Sequence, residues 1–189
     1  MLVYDIVVDH GETSNKCTIL PLAYRSDFNI MRGDKARTLG ADILLHPEGV
    51  PLQSLNREEF RVQRLAAIDC VWRRLNPILQ KIEKPLPLLV RIPAEFVTAY
   101  PRASRKDFDP EGGLATIEAI FIAAAFLGHW DQSLLREYYF AEKFIEDNAS
   151  TFRFYGINPL IQKPIFQPHS PRDSQSRRLG RGRIAKVKV

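Results

Sequence analysis

The chain has 189 residues, 45% of them hydrophobic and 26% charged, with a formal net charge of +5. This is the composition of an ordinary globular domain, and no apolar run approaches the ~20 residues that a membrane-spanning helix needs. The charge is unevenly placed: residues 168–189 hold seven Lys and Arg against Asp173 alone and sum to +6, which leaves −1 for residues 1–167.

In chain order, residues 2–8 read as a buried first strand, because Val3, Ile6, Val7 and Val8 are β-branched. A polar loop follows over 9–16. Residues 43–45 read as a short strand, which the prolines and glycine of His46-Pro47-Glu48-Gly49-Val50-Pro51 are expected to end. Asn56 with Glu59 has the form of a capping box and predicts a helix to about Arg64. Residues 65–70 read as a strand, 71–80 as a helical turn region interrupted at Pro77, and 88–92 as another strand between Pro87 and Pro93. The Pro- and Gly-bearing stretch 93–113 reads as a long loop suited to binding. Residues 115–127 are apolar nearly all round, as in a helix buried against a sheet, with Gly128 as its stop. Residues 132–148 read as an amphipathic helix with Asp131 as N-cap. Alternating strands and helices predict an α/β domain with a largely parallel sheet and helices on its faces.

Cys17 and Cys70 form no C-x-x-C pair, and the four histidines have no metal-ligand spacing, so reduced thiols and no metal are expected. G-x-S-x-G, P-loop and G-x-G-x-x-G signatures do not occur. The amino terminus has no signal-peptide pattern, so a cytoplasmic location is expected. The cationic tail suits a polyanion, since each neutralised phosphate releases counterions; a merely solubilising terminus is the other reading. Its candidate RNA-binding residues are Arg177, Arg178, Arg181, Arg183, Lys186 and Lys188. In open α/β sheets ligands collect beyond the carboxyl ends of strands, and Asp69 and Trp72 follow such an end. Trp72 offers a π face to a cation or planar ligand, and Asp69 a carboxylate. Equally, Trp72 as core and Asp69 as a helix cap fit the pattern.

Several blocks in order carry a resemblance. They are Lys16-Cys17-Thr18, Leu44-Leu45-His46-Pro47, Ala67-Ile68-Asp69-Cys70-Val71-Trp72, Leu86-Pro87-Leu88-Leu89-Val90 and Leu114-Ala115-Thr116-Ile117-Glu118-Ala119. Phe140, Phe144, Asn148 and Tyr155 extend them into the last helix. Over about residues 2–155 the chain resembles the ribosomal-RNA aminocarboxypropyltransferases, which are SPOUT-like enzymes, and more distantly the DTW-domain proteins that act on tRNA uridine. It departs from the family pattern at Arg91-Ile92-Pro93-Ala94-Glu95-Phe96, in a longer following loop, at Ala115 in place of serine and at His46 in place of aspartate.

The resemblance implies a SPOUT-like, mostly parallel sheet with helices on both faces and a deep trefoil knot between roughly residues 60 and 130, a rare exception to unknotted chains. It implies an N-terminal α/β subdomain over 1–50, a cofactor-binding domain over 51–160 and a basic tail over 161–189. It further implies transfer of the 3-amino-3-carboxypropyl group of S-adenosylmethionine to a uridine or pseudouridine of small-subunit ribosomal RNA, with release of 5′-methylthioadenosine, by a monomer. Backbone groups near Leu45, Leu89 and Val90 are expected to hold the adenine, and Thr18 the ribose. Trp72 is expected to pack along the methionine portion, with Leu114 beside it and Thr116 at its carboxylate. Asp69 is the candidate for orienting or deprotonating the base. Three rivals remain: a DTW-like tRNA enzyme, a methyltransferase of the same superfamily, and a non-catalytic RNA-binding assembly factor.

Overall fold

A computed structural model describes residues 2–11, 17–33, 38–56, 60–101 and 113–159. Five strands, β1 (Val3–Val8), β2 (Phe28–Arg32), β3 (Ile43–Pro51), β4 (Arg64–Asp69) and β5 (Leu88–Arg91), form one all-parallel sheet in the order β2-β1-β4-β3-β5. Three α-helices, α1 (Leu75–Leu79), α2 (Thr116–Phe126) and α3 (Ala141–Phe154), accompany it. Segments from either side of residue 50 interleave, because β3 lies between β4 and β5.

The pleat sends alternate residues to opposite faces, and both faces are covered. Tyr4, Ile6, Val8, Leu65, Ala67 and Ile43 join the core that holds α2 and α3. Val7, Ala66, Ile68 and Leu44 join a second core with Leu75, Ile78 and Ile82. Burial on both faces is why β1 and β4 read as continuous apolar runs and not as alternating ones. α2 is buried all round, with Ile117, Ile120, Phe121, Ile122, Ala123 and Ala124 fully enclosed. It ends where Gly128 takes φ +86°, a left-handed value that favours glycine.

Four local expectations need correction. Residues 43–45 are not the whole of β3: pairing with β5 jumps in register between Leu45 and Val50 and then resumes to Pro51. A bulge lets Pro47, which has no N–H, sit outside the ladder. Residues 57–59, with the capping-box Glu59, lie outside the described residues, and the expected helix at 56–64 is not formed over 60–63, where a Phe60 N–H to Asn56 carbonyl bond of 2.8 Å precedes β4. Pro77 interrupts nothing, since it stands in the first turn of α1, where helix amides have no intrahelical acceptor. Residues 132–148 are not one helix. Asp131 does cap, accepting from Ser133 N–H, but it caps a 3₁₀ turn over Gln132–Leu135, and α3 starts only at Ala141. The aromatic run Tyr138-Tyr139-Phe140 separates them, with Tyr138 buried and its hydroxyl donated to Glu118. Edge strand β2 had no counterpart in the sequence reading; it pairs Tyr4 with Phe28, whose rings lie 4.7 Å apart.

Candidate functional site

The carboxyl ends of β1, β4 and β3 meet the amino-terminal turn of α2. Asp69, the last residue of β4, is 7% exposed, and each of its oxygens is engaged. Cys17 donates its thiol to Oδ2 at 2.8 Å and Thr116 donates its hydroxyl to Oδ1 at 2.6 Å. Burial, followed by the negative charge of Asp69 and the hydrogen bond to it, pushes the Cys17 thiol up to about 12. The thiol form of Cys17 is thereby favoured, as its role of donor to Asp69 requires. Leu20 N–H donates to its sulfur at 3.2 Å, which fixes the direction of the thiol.

In front of Asp69 opens a cleft of about 490 Å³, counting its solvent-open mouth. Ala67, Ile68 and Cys70 from β4 and its end line it together with Leu45 of β3, Trp72 and Leu75 from the following turn, and Leu114, Thr116 and Ala119 from the start of α2. The wall is thus mostly apolar, with one indole, one thiol and one hydroxyl. Gly113 lies against the indole: a Cβ there would stand 3.0 Å from Trp72 Cζ2 and Nε1. Any larger residue would push the ring. Trp72 is followed by Arg74, whose Nη2 donates to the buried Asp9 carboxylate at 3.0 Å. That ion pair ties the Trp72 turn to the end of β1.

Of the residues singled out from the sequence, Leu45, Trp72, Leu114 and Thr116 come together as cleft wall. Asp69 is not itself among the lining residues but is bonded to one of them, accepting from the Thr116 hydroxyl. Leu89 is half-buried against the second core, and Val90 is fully buried opposite Leu45 in the ladder. Neither of those side chains, nor that of Thr18, is among the lining residues. Arg177, Arg178, Arg181, Arg183, Lys186 and Lys188 lie outside the described residues. Leu75 and Ala119 were missed, although each stands three positions after a predicted residue, Trp72 and Thr116, on the same helical face. Cys17 was seen within a motif without a role. Only the fold shows that a residue 52 positions away meets Asp69.

The chemistry available is clear in outline. An apolar slot with an aromatic wall takes a planar ligand with an apolar stem. A buried carboxylate at its back favours positive charge. The helix start supplies first-turn amides without intrahelical acceptors, and the N-cap, Ala115, has no side-chain oxygen to satisfy them. Among the described residues no group of three or more His, Cys, Asp and Glu is arranged to hold a metal ion. No helix there is long and apolar enough to cross a membrane.

No family model and no curated protein matches this chain. Among solved structures there is a clear likeness, with a TM-score of 0.61 and 23% identity over 82% of this chain and 83% of the other. At that identity the likeness establishes the fold: this chain folds like the SAM-dependent rRNA:acp-transferase Tsr3 from Vulcanisaeta distributa.

Proposed function

We propose that this protein uses S-adenosylmethionine to place a 3-amino-3-carboxypropyl group on a base of ribosomal RNA. The cleft carries the reading. An apolar slot with Trp72 on its wall and an anionic carboxylate behind it lies at the strand ends, in a fold shared with a protein described as a SAM-dependent rRNA:acp-transferase. Such a slot suits adenine and a sulfonium, since an indole face attracts a cation.

In this reading Leu45 and the β3–β5 backbone at Leu89 and Val90 hold the adenine, Thr18 the ribose, and Trp72 with Leu114 the methionine portion. The first-turn amides of α2, that of Thr116 among them, face its carboxylate. Bound there, the sulfonium supplies a good leaving group. Attack of a base nitrogen on the side-chain carbon beside sulfur would break the carbon–sulfur bond, and its electron pair would leave with 5′-methylthioadenosine. Asp69 orients the acceptor or takes its proton through the Thr116 hydroxyl. The finer reading includes a uridine or pseudouridine target in the small-subunit RNA, a SPOUT-like chain with a trefoil knot, and a cytoplasmic monomer. The 161–189 tail would track RNA phosphates; truncation after Gln167 is expected to weaken RNA binding and flatten its salt dependence.

Calorimetric titration with S-adenosylmethionine tests the core of this. Micromolar binding is expected in the wild type, with loss of about tenfold or more in Trp72→Ala. A wild type that does not bind removes the transferase reading.

A further inference from the structure

The two walls of the cleft are joined by a residue outside its lining. His46 is 4% exposed and sits in the β3 bulge, next to cleft-lining Leu45. Its Nδ1 accepts from the backbone N–H of Glu48 at 3.2 Å. A neutral imidazole has one donor and one acceptor nitrogen, so this contact assigns the proton to Nε2. Nε2 then donates to Asn76 Oδ1 at 3.3 Å, and Asn76 follows cleft-lining Leu75. The bond spans from the strand wall to the wall formed by the Trp72–Leu75 turn.

Apolar contact alone does not fix the spacing of these walls. Leu44, Leu75 and Ile78 share the second core, but dispersion and burial are non-directional. The polar ties provide direction. On the strand side, Gly49 lies so close to β5 that a Cβ would stand 2.4 Å from Leu89 C and Val90 N. Arg91 Nη1 also donates to the Gly49 carbonyl at 3.0 Å. The bulge is thereby anchored to β5, and a partner bonded to it is held in place. On the other side, Arg74 ties the turn to Asp9, but its side chain is 47% exposed, so that pair is screened by solvent. His46 is enclosed, and bulges of this kind re-aim side chains next to active sites.

We propose that His46 is a positioning residue for cofactor binding: through Nε2–H to Asn76 it sets the width of the cleft between Leu45 and the Trp72–Leu75 turn. The proposal rests on the S-adenosylmethionine reading for its ligand, but not for its geometry. Two conservative substitutions separate the two nitrogens, since an Asn carbonyl oxygen sits near the Nδ1 position and a Gln amide nitrogen near the Nε2 position.

The experiment is S-adenosylmethionine titration of the full chain and its variants, with acrylamide quenching of Trp72 fluorescence in a Trp130→Phe background. His46→Ala is expected to weaken binding by about tenfold, the scale of a buried hydrogen bond left unmade, and to raise Trp72 quenching. His46→Gln should recover affinity to within about twofold, while His46→Asn should remain weak. In transfer assays the change is expected in KM for the cofactor and not in kcat. Wild-type affinity and quenching in a folded His46→Ala protein would overturn the proposal. So would rescue by His46→Asn and not by His46→Gln, which would assign the effect to the bulge alone. If the wild type itself fails to bind, the functional reading falls and the quenching series still decides the role of His46.

Discussion

Two buried carboxylates flank the first turn of α2, and they are built differently. Glu118 is fully enclosed and accepts four hydrogen bonds, from Ala99 N–H at 2.8 Å, Ala115 N–H at 2.7 Å, Thr98 Oγ1 at 2.6 Å and Tyr138 hydroxyl at 2.7 Å. Those donors come from both flanks of 102–112 and from the stretch before α3. Asp69, on the other side of Thr116, accepts at its carboxylate from two side chains among the described residues, and Thr116 itself lines the cleft. A carboxylate saturated by two backbone amides and two hydroxyls from several segments is a clasp. One held by two short side chains at a cleft retains accepting capacity, since a carboxylate has about four lone-pair sites. Burial alone does not distinguish a scaffold residue from a site residue; the number of donors and the segments they come from do.

The contrast is broken most directly by removing each carboxylate. Glu118→Ala strands four donors, three of them buried and Thr98 half-buried, and is expected to cost about 3 kcal/mol or more, a fall in Tm of roughly 6–12 °C for a chain of this size. Differential scanning calorimetry measures it. Whatever fraction stays folded should bind S-adenosylmethionine, because Glu118 is not part of the cleft wall. Asp69→Asn should invert the pattern: about 1 kcal/mol of stability, but a transfer rate lower by about a hundredfold or more. A full transfer rate at every pH in Asp69→Asn would end its proposed role as base. A stability loss as large as that of Glu118→Ala would make it a second clasp.

The same contrast explains what the sequence disclosed. β1, β4 and α2 were legible because burial on every side leaves uninterrupted apolar runs, and Trp72 because it follows the end of β4, whereas Leu45, Leu114 and Thr116 were named through the family resemblance. Glu118 was visible only as part of a motif. Its partners Thr98, Ala99 and Tyr138 are about 20 positions away, and no local pattern joins them. Asn148 is similar. It is fully buried and pairs both ways with the Val97 backbone, at 2.8 Å each, yet reads locally as a polar residue on an amphipathic helix. Local signals also misled where tertiary demands prevailed. The Asp131 cap is real, but Arg25 donates to the same side chain at 2.9 Å, and the turn it starts does not propagate into α3. The bulge at 46–49 was misread as a strand end because prolines forbid a regular ladder but not an irregular one.

The smallest expected effect sharpens the description of Asp69 through its partner. Burial and then the negative charge of Asp69 push the Cys17 thiol up to about 12 in the folded protein, from an ordinary value of 9.0. A folded-state value above the unfolded one means that the native state holds the proton more tightly. The contribution is complete below pH 9 and is lost as pH rises from there towards 12, while the unfolded thiol ionises first. Wild-type stability should therefore fall on going from pH 8 to pH 10, by about 1 kcal/mol from this group. Cys17→Ser keeps a donor to Asp69 but does not ionise in that range, so its stability should decline less over the same interval. Urea denaturation at the two pH values measures the difference. Parallel declines would mean that the thiol is not held against Asp69 in solution, and the contrast between the two carboxylates would then rest on Thr116 alone.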